Sequence, residues 1–492
     1  MVSRKSVAWQ WKRFYTTFTT LRKNKMAVIG VVMLFGFIFM ALGAPLLTSN
    51  DPNSRVSGAY AQPAWVMNFP DGYYLSQNIV AVPSSSFSSP AVVQDWSITG
   101  SPQALSSLRS SYAVVPGPTK SPVGTLQAVY SGSTPNTVSF THSFDFPYRG
   151  SPKNFIADLS IAENGVSSTQ PVNIQLFIQK VGGVPWTIFS QNLTADGKWG
   201  PNGILDSDTQ NIKALVLGSS SAFTPSEVIF SSVGSYSYGI KATFYGPATV
   251  NVNKLQLILL GTAYGLMGTD NGGRDVYSQF IYGSRISLLV GLLAAGIGIG
   301  IGLVVGLLAG FMGRYVDEVL MRFTDMLLVI PQLPLLIVLV AVLGANIWNL
   351  IIIIGFLGWM GFARIIRSSV LSLRERPFVE AAKAAGAGPG RIITKHIFPN
   401  IVSLTYVNLA LTVPGAILGE AALAFLGLSD PNVVSWGHMF ETVGIAGAIS
   451  IKPPPWWWVL PPGFGIMFIS LSFVLIGYAL DEIFNPRLRR RR

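Results

Sequence analysis

The sequence predicts an α-helical polytopic membrane protein that carries a large all-β domain after its first membrane span. Half of the 492 residues are hydrophobic and only 11% are charged, which is more apolar surface than an ordinary soluble domain carries. Uncharged apolar runs of about 20 residues recur along the chain, and this length crosses a hydrocarbon core of about 30 Å. The stretch between the first two runs is polar and alternates as strands do.

Six apolar runs predict six transmembrane helices, and we place them at residues 26–47, 286–312, 326–343, 347–362, 401–425 and 464–479. The first run is longer than the core of a signal peptide and lacks a clear small-residue cleavage site, so we interpret it as an anchor. The fourth continues as a helix past Arg364. Pro331 and Pro334 predict a bend in the third span, and Pro414 predicts one in the fifth, because proline removes a helical hydrogen bond.

The distribution of Lys and Arg predicts the orientation of these spans. Seven lie in the first 25 residues, seven in residues 364–395 and five in residues 487–492, whereas the loops 344–346 and 427–461 hold only Lys452. Basic loops stay in the cytoplasm, so both termini are expected there in a plasma-membrane protein. The net charge of +12 is therefore explained by topology and contact with membrane lipids, and nucleic-acid binding is not required.

Residues 49–262 are expected outside the cytoplasm as a β-rich insert. Apolar and polar residues alternate over 172–178 and 254–259, and turn residues such as Gly182 and Gly183 separate such stretches. We expect a sandwich, of jelly-roll type, over about 125–262. Residues 50–124 are harder to interpret, and their Pro- and Ser-rich pieces fit loops wrapped on this domain rather than a separate domain. The chain has no cysteine, so burial and hydrogen bonds alone must stabilise this domain.

One loop of the insert carries weak candidate ligands for a calcium ion. Asp196, Asp206 and Asp208 lie close in sequence around several glycines, and Ca²⁺ prefers such oxygen ligands. The spacing matches no EF-hand, and a solvated turn is the alternative interpretation. Asn192 begins an Asn-x-Thr sequence, which fits a surface loop outside the cell but also arises by chance.

Features of an enzyme are missing from the sequence. No Gly-x-x-x-x-Gly-Lys-Ser/Thr motif is present, so energy from ATP must come from another subunit. His142, His396 and His438 are far apart and have no ligand spacing. We therefore expect no catalytic residue, no resident metal and no cofactor.

Three features of the spans predict packing or site roles. Glycines recur every fourth residue along the second span and make a ridge on which another helix can pack, at Gly298, Gly302, Gly306 and Gly310. Glu420 is the one acid within an apolar span. Its carboxylate could form a structural hydrogen bond or contact the substrate directly, and the sequence leaves both roles open. Residues 456–458 form a Trp-Trp-Trp run that is typical of a membrane interface.

Between the fourth and fifth spans lies a short helix, a glycine break and a second basic helix. Pro377 suits the first turn of a helix, the alanines at 381–385 favour helix, and Gly386 ends it. The small alanine face lets a partner approach closely, with Arg391 among the polar residues at its edge. An ordinary amphipathic loop helix is the alternative.

This segment resembles the cytoplasmic EAA loop of ATP-binding-cassette (ABC) importer permeases. The resemblance lies in Glu380-Ala381-Ala382, in Gly386 six residues after the glutamate, and in Ile397-Phe398-Pro399. Further segments resemble the C-type permease subunit of dipeptide and oligopeptide importers, in family order, at 22–30, 268–270, 273–276, 282–287, 316–322, 424–428 and 436–437. Together they cover about 1–50 and 263–492, roughly half of the chain.

The resemblance implies a type I ABC importer permease with three parts. These are the N-terminal segment and first helix at 1–48, the insert at 49–262, and a permease core at 263–492 with its coupling loop at about 376–399. It implies a homologous permease as partner, two cytoplasmic ABC ATPases and an extracytoplasmic solute-binding protein. The implied coupling residues are Glu380, Ala381, Ala382, Gly386 and Pro399. The insert departs from the usual short C-type subunit, which leaves its role open.

Several alternatives about function stay open at this stage. Short peptides are the cargo that the resemblance implies, whereas aromatic residues of the insert would suit stacking on oligosaccharides: Trp186, Trp199, Tyr236, Tyr238 and Tyr245. A secondary transporter would need ionisable residues at mid-membrane, and the spans offer essentially none. A membrane-anchored adhesin would explain the insert but not the five further spans.

Overall fold

The computed structural model describes residues 24–83, 86–195, 199–218 and 223–484, which form two compact units. One unit contains the described residues up to Asn53 together with those from Val276 onward. The other contains the described residues between Ser54 and Asp275.

The first unit is helical. Its principal helices are α1 (Lys25–Leu42), α2 (Val276–Met312), α3 (Arg314–Val329), α4 (Gln332–Leu343), α5 (Ile347–Leu357), α6 (Met360–Arg374), α7 (Pro377–Ala384), α8 (Phe398–Phe425), α9 (Trp436–Ile445) and α10 (Trp456–Phe484). Single turns follow α1 at Ala44–Leu47 and precede α8 at Pro389–Ile392, and a π-helical turn at Ile393–Ile397 leads directly into α8. A short 3₁₀ turn lies at Ala448–Ser450.

Five helical stretches of the described chain are long and apolar enough to cross a membrane. They are residues 25–42, 276–312, 347–374, 389–425 and 456–484. Helices α3 and α4 pass the same test only as a pair, which would give a sixth span, and they are bent by 89°. The prediction of a polytopic helical membrane protein is confirmed.

Proline has different effects in the two spans where we expected a bend. Pro331 separates α3 from α4, because it supplies no backbone N–H at the junction. The bend borders a cavity of about 330 Å³, lined by residues 327–332, Leu335, Leu357, Gly358, Met360 and Gly361. Pro414 is buried inside α8, and this helix continues through it from Phe398 to Phe425.

The glycine ridge of α2 packs against α6. A Cβ atom at Gly302 would lie 2.7 Å from the carbonyl oxygen of Trp359, and one at Gly306 would lie 2.6 Å from that of Ala363. These separations are too short for any side chain, so the two backbones are in direct contact. The predicted role of the ridge in helix packing is confirmed.

Trp436 joins three helices of the same unit. Its ring stacks on Phe280 of α2 at 5.5 Å and meets Phe37 of α1 edge-on at 5.7 Å. Its indole N–H donates to the carbonyl oxygen of Phe280 at 2.9 Å. Arg285 adds a second link, since its guanidinium donates to the last carbonyl oxygens of α1, at Ala41 and Leu42.

The second unit is a β-sandwich of two antiparallel sheets. Its strands are β1 (Ile79–Val80), β2 (Ser97–Gly100), β3 (Leu108–Pro116), β4 (Pro122–Tyr130), β5 (Asn136–Phe146), β6 (Asn154–Asn164), β7 (Val172–Lys180), β8 (Pro185–Leu193), β9 (Gly200–Asp206), β10 (Gly234–Phe244) and β11 (Ala248–Leu260). One sheet has the order β3-β4-β11-β6-β9, with β1 also paired to β11. The other has the order β2-β5-β10-β7-β8. Short helices lie at Ala64–Asn68, Pro70–Gly72, Pro90–Gln94, Pro102–Ser106, Gln210–Leu217 and Pro225–Ile229.

The strands predicted at 172–178 and 254–259 are present as β7 and β11. Residues 50–124 belong to the same domain, as expected, but they hold more than wrapped loops, because β3 pairs with β4 along its full length and is part of the sandwich. β3 is an edge strand and buries few side chains, so its sequence lacks a long apolar alternation.

Aromatic side chains fill the space between the sheets. Tyr236 and Tyr238 are fully buried there, so neither is available to stack on a sugar. Burial raises the pKa of Tyr238 well above its usual range, and its hydroxyl donates to the carbonyl oxygen of Gln256 at 2.9 Å. Tyr245 is about half exposed.

The two chain ends of the β unit run side by side. The backbone N–H of Val56 donates to the carbonyl oxygen of Gly273, and that of Ala64 donates to Gly265, both at 2.9 Å. Between them Gln62 and Ala263 form a parallel bridge. Asp270 is buried and pairs with Arg274 at 2.6 Å, which fixes the turn before the end of the unit.

The glycine ridge leads to a stability prediction with a matched control. Gly302→Ala should lower the free energy of unfolding by about 1–3 kcal/mol, because the added methyl group would overlap the backbone of α6. Gly300→Ala on the same helix should change it by less than about 0.5 kcal/mol, since nothing lies within 4 Å of that position. Thermal unfolding of both variants in detergent measures the difference. Equal behaviour would contradict the proposed contact.

Candidate coupling site

The segment between α6 and α8 forms a helix, a glycine turn and a second helix. Pro377 occupies the first turn of α7. At the other end, Gly386 adopts φ +76°, its N–H donates to Lys383 at 2.9 Å, and the N–H of Ala387 donates to Ala382 at 3.0 Å. These two bonds satisfy the last carbonyl groups of the helix, and glycine is the residue that reaches this φ at least cost.

Three buried side chains attach this segment to the helices beneath it. Val379 on α7, together with Ile392 and Ile397 on the second arm, is essentially inaccessible to solvent. They pack in one apolar cluster with residues of α2, α6 and α8: Ile299, Leu307, Phe362, Ile366, Val370 and Ile401. Burying a side chain of this size contributes about 1.5–3 kcal/mol, so the segment is anchored firmly.

The opposite face of the segment is open to solvent. Of the residues predicted to couple, Glu380, Ala381, Gly386, Arg391 and Pro399 are exposed. Ala382 is half-buried, since it packs against the apolar cluster. We call residues 377–399 the coupling knob: a small surface of alanine, glycine and charged side chains on an apolar base.

Polar contacts of arginine side chains link α6, which leads into the knob, to α2 and α3. The Arg367 guanidinium of α6 donates to both carboxylate oxygens of Asp317 on α3, with the longer bond at 2.7 Å. Arg364, one turn before Arg367 on α6, pairs with Asp325 of α3. Arg374 donates to the carbonyl oxygen of Phe311 near the end of α2. The sequence shows that these residues are charged, but it does not show which of them pair. The pairing depends on how the helices pack against one another.

Glu420 lies in the interior of the helical unit. Its Oε1 atom accepts a hydrogen bond from the Ser435 hydroxyl at 2.6 Å, and a Cβ atom at Gly437 would lie 2.8 Å from both carboxylate oxygens. Among the residues described, Oε2 has no hydrogen-bond partner. Close packing on α9 favours the structural role over substrate contact.

A polar cluster that sequence reasoning missed lies beside Glu420. His438 Nδ1 is 2.9 Å from the Ser429 hydroxyl and 3.0 Å from the Glu441 carboxylate. All three side chains are largely buried. Because Ser429 and Glu441 meet the same ring nitrogen, the arrangement differs from a nucleophile relay, which uses both nitrogens. It holds the end of α8 to α9.

The candidate calcium ligands have other partners where they are described. Asp196 lies outside the described residues. Asp206 pairs with Arg55, and its Oδ1 accepts the backbone N–H of Asp208 at 2.9 Å. Asp208 in turn lies 3.9 Å from the Lys213 ammonium. Within the described chain no three His, Asp or Glu side chains come together as metal ligands would. Calcium binding stays a prediction.

Comparison with known proteins decides the family. A profile of binding-protein-dependent transport system inner membrane components matches residues 302–490, and one of the N-terminal TM domain of oligopeptide transport permease C matches residues 10–64. The dipeptide transport system permease protein DppC of Alkalihalophilus pseudofirmus is 40% identical over 223 residues, which are 45% of this chain and 72% of that protein. The chain belongs to the binding-protein-dependent transport system inner membrane components.

Two further relatives are also named as permeases. The oligopeptide transport system permease protein OppC of Haemophilus influenzae is 39% identical over 227 residues, which are 46% of this permease and 71% of that one. A putative peptide permease of Brucella suis is 37% identical over 221 residues, or 45% and 72%. The protein is thus an ABC importer permease, a transport subunit without an active site of its own, and its family works with ATPases and a binding protein.

The coupling knob lies within the longer match, whereas every strand of the β unit lies outside both matches. One solved structure that is similar is TmCBM61 in complex with β-1,4-galactotriose. It is 9% identical, covers 36% of the permease and 97% of that chain, and has a TM-score of 0.23. A similarity this low assigns no ligand to the permease.

The Arg367–Asp317 pair predicts a difference between two acidic residues of α3. Asp317→Asn should destabilise the permease by about 1–3 kcal/mol, because it weakens a two-bond contact between helices on which the knob stands. Glu318→Gln should cost less than about 1 kcal/mol, since Glu318 forms only an exposed pair with Arg322 of the same helix. Unfolding midpoints in detergent compare the two. A larger effect of Glu318→Gln would refute this assignment.

Proposed function

We propose that this permease imports short peptides as one half of a heterodimeric ABC importer, and that the coupling knob transmits the motion of the ATPases. The single observation that carries the coupling role is a knob with an exposed small-residue face and a fully buried apolar base. The names of its relatives, which are dipeptide and oligopeptide transport permeases, support peptides as cargo. The burial of Tyr236 and Tyr238 removes part of the support for oligosaccharides.

Motion would pass through the knob as through a lever. An ATPase cleft that closes around Glu380, Ala381 and Gly386 pushes on α7. Helix α7 cannot yield alone, because Val379 is buried in the apolar cluster that includes residues of α2, α6 and α8. The glycine turn fixes the angle between the two arms of the knob. Displacement at the knob therefore becomes displacement of whole helices, as in other rigid-body transitions.

The surface of α3 supports a second permease as partner. Tyr315, Val319 and Met326 are large apolar side chains that are each at least 66% exposed. Glu318 and Arg322 are exposed on the same helix, and lipid tails do not accept such charges. A surface of mixed apolar and charged residues suits contact with another protein. The cavity at the nearby α3–α4 bend is a candidate part of the transport pathway, with Gln332 as its polar lining residue.

The orientation follows from the charge distribution. We propose that the termini and the knob are cytoplasmic and that residues 49–262 form the extracytoplasmic insert. Lys and Arg cluster in the first 25 residues, in 364–395 and in 487–492, and basic segments stay in the cytoplasm. The insert contains ten basic and ten acidic residues, so it carries no net charge to retain it inside.

Protease accessibility tests this orientation. Protease added to intact cells should cleave within residues 49–262, most readily at exposed turns such as Gly182-Gly183, and should leave the coupling knob intact. Inside-out vesicles should show the reverse pattern. Cleavage of the insert only in inside-out vesicles would overturn the proposed topology.

Substitution of Gly386 tests the coupling role. Gly386→Trp should abolish transport while the permease still inserts and assembles with its partner permease. The position is open within the chain, so the ring would project into the ATPase cleft, and φ +76° adds about 1–2 kcal/mol of backbone strain for any side chain. Solute-stimulated ATP hydrolysis and uptake in proteoliposomes are the measurements.

A pair of alanine variants separates backbone strain from bulk. Gly386→Ala should reduce stimulation, whereas Gly388→Ala should not, because both sites are open but Gly388 has an ordinary φ of −69°. If Gly386→Trp lost uptake with unchanged stimulation, the knob would not be the lever. Normal uptake by Gly386→Trp would sink the assignment of the coupling loop.

A further inference from the structure

An exposed cluster of aromatic and apolar side chains lies next to the paired chain ends of the β unit. Its members and their exposed fractions are Trp65 (44%), Phe69 (56%), Tyr73 (49%), Tyr74 (70%) and Leu266 (63%). We call these five residues the aromatic patch. Trp65 meets Phe69 at 6.2 Å and Tyr73 meets Tyr74 at 5.2 Å, so large exposed rings are grouped within two short turns rather than scattered singly, and a covering surface is expected.

The patch is rigid. The two short turns that carry it, Ala64–Asn68 and Pro70–Gly72, pack so closely that a Cβ at Gly72 would lie 2.2 Å from the carbonyl oxygen of Val66. The indole N–H of Trp65 donates to the carbonyl oxygen of Leu266 at 3.0 Å. These contacts hold the two segments of the patch together before anything binds, which reduces the entropy lost on binding.

The chemistry of the patch is that of a membrane interface. Trp and Tyr carry an apolar ring with a polar edge, and they are enriched where hydrocarbon meets headgroups. The Arg149 guanidinium lies over the Tyr73 ring at 4.2 Å, which places an exposed cation at the rim of the patch. A cation in this position suits a lipid phosphate. Asp71 is the one exposed acid within the two turns.

A short connecting segment links the patch to an apolar helix long enough to cross a membrane. Leu266 precedes Val276, the first residue of the 37-residue apolar helix α2, by ten residues. Ten extended residues reach about 33–36 Å at most, and here the turn fixed by Asp270 and Arg274 shortens that reach. The patch is thus joined to the start of α2 by a short connecting segment.

From these observations we infer that the aromatic patch inserts into the headgroup region of the bilayer and anchors the β unit to the membrane surface. A docking partner made of protein is the competing occupant, and the experiment below excludes one of the two. The inference is independent of the cargo and of the side on which the β unit lies, because either leaflet offers an interface. Its failure would leave the proposed transport function intact.

The absence of cysteine makes the test specific. Phe69→Cys gives a single thiol in the patch, and Val184→Cys gives a matched control on the exposed β7–β8 turn of the same unit, where Val184 is 76% exposed. Each full-length variant is labelled with a nitroxide and placed in lipid nanodiscs without other subunits. Collision with oxygen, which partitions into lipid, is compared with collision with a water-soluble nickel complex.

The oxygen-to-nickel collision ratio should be several-fold higher at position 69 than at position 184. Tyr74→Cys should give the same result as Phe69→Cys, which guards against a local disturbance at one site. Equal ratios at the patch and at the control would overturn the anchor. Exposure in lipid alone, followed by protection when the solute-binding protein is added, would also overturn it and assign the patch to a protein partner.

Discussion

The fully buried contact of Val379, Ile392 and Ile397 with α2, α6 and α8 is the constraint on which the helical unit depends. It converts an exposed helix–turn–helix segment into a fixed part of the transmembrane framework. The close packing of α2 on α6 continues this framework, because the glycine ridge brings the two backbones into contact. Bidentate pairing of Arg367 with Asp317 extends it to α3. A push on the knob therefore meets a connected set of helices.

Sequence reasoning found the features whose physics is local. Long apolar runs located the spans, Pro331 located the bend, and Gly386 located the turn, because each depends on neighbouring residues alone. Contacts between distant segments could not be found in this way. The pairing of Arg367 with Asp317, and of His438 with Ser429 and Glu441, depends on which helix faces come together. Nothing in the spacing of those residues reveals it.

The same distinction explains the errors in the β unit. β7 and β11 have partners on both sides and bury alternate residues, so their sequences alternate clearly. β3 has one partner and exposes much of its surface, so its sequence resembles that of a loop. Tyr236 and Tyr238 look like surface aromatics beside serine and glycine, yet both point into the core, because the register of β10 between β5 and β7 sets their direction.

The side-by-side chain ends at Gln62 and Ala263 have a consequence for how such a permease could arise. A segment whose two ends are hydrogen-bonded neighbours enters a host chain at a single point. One recombination event could therefore add or remove about two hundred residues without requiring a new path for the flanking polypeptide. Both family matches lie outside the strands, which fits insertion of the β unit as one module into the permease sequence.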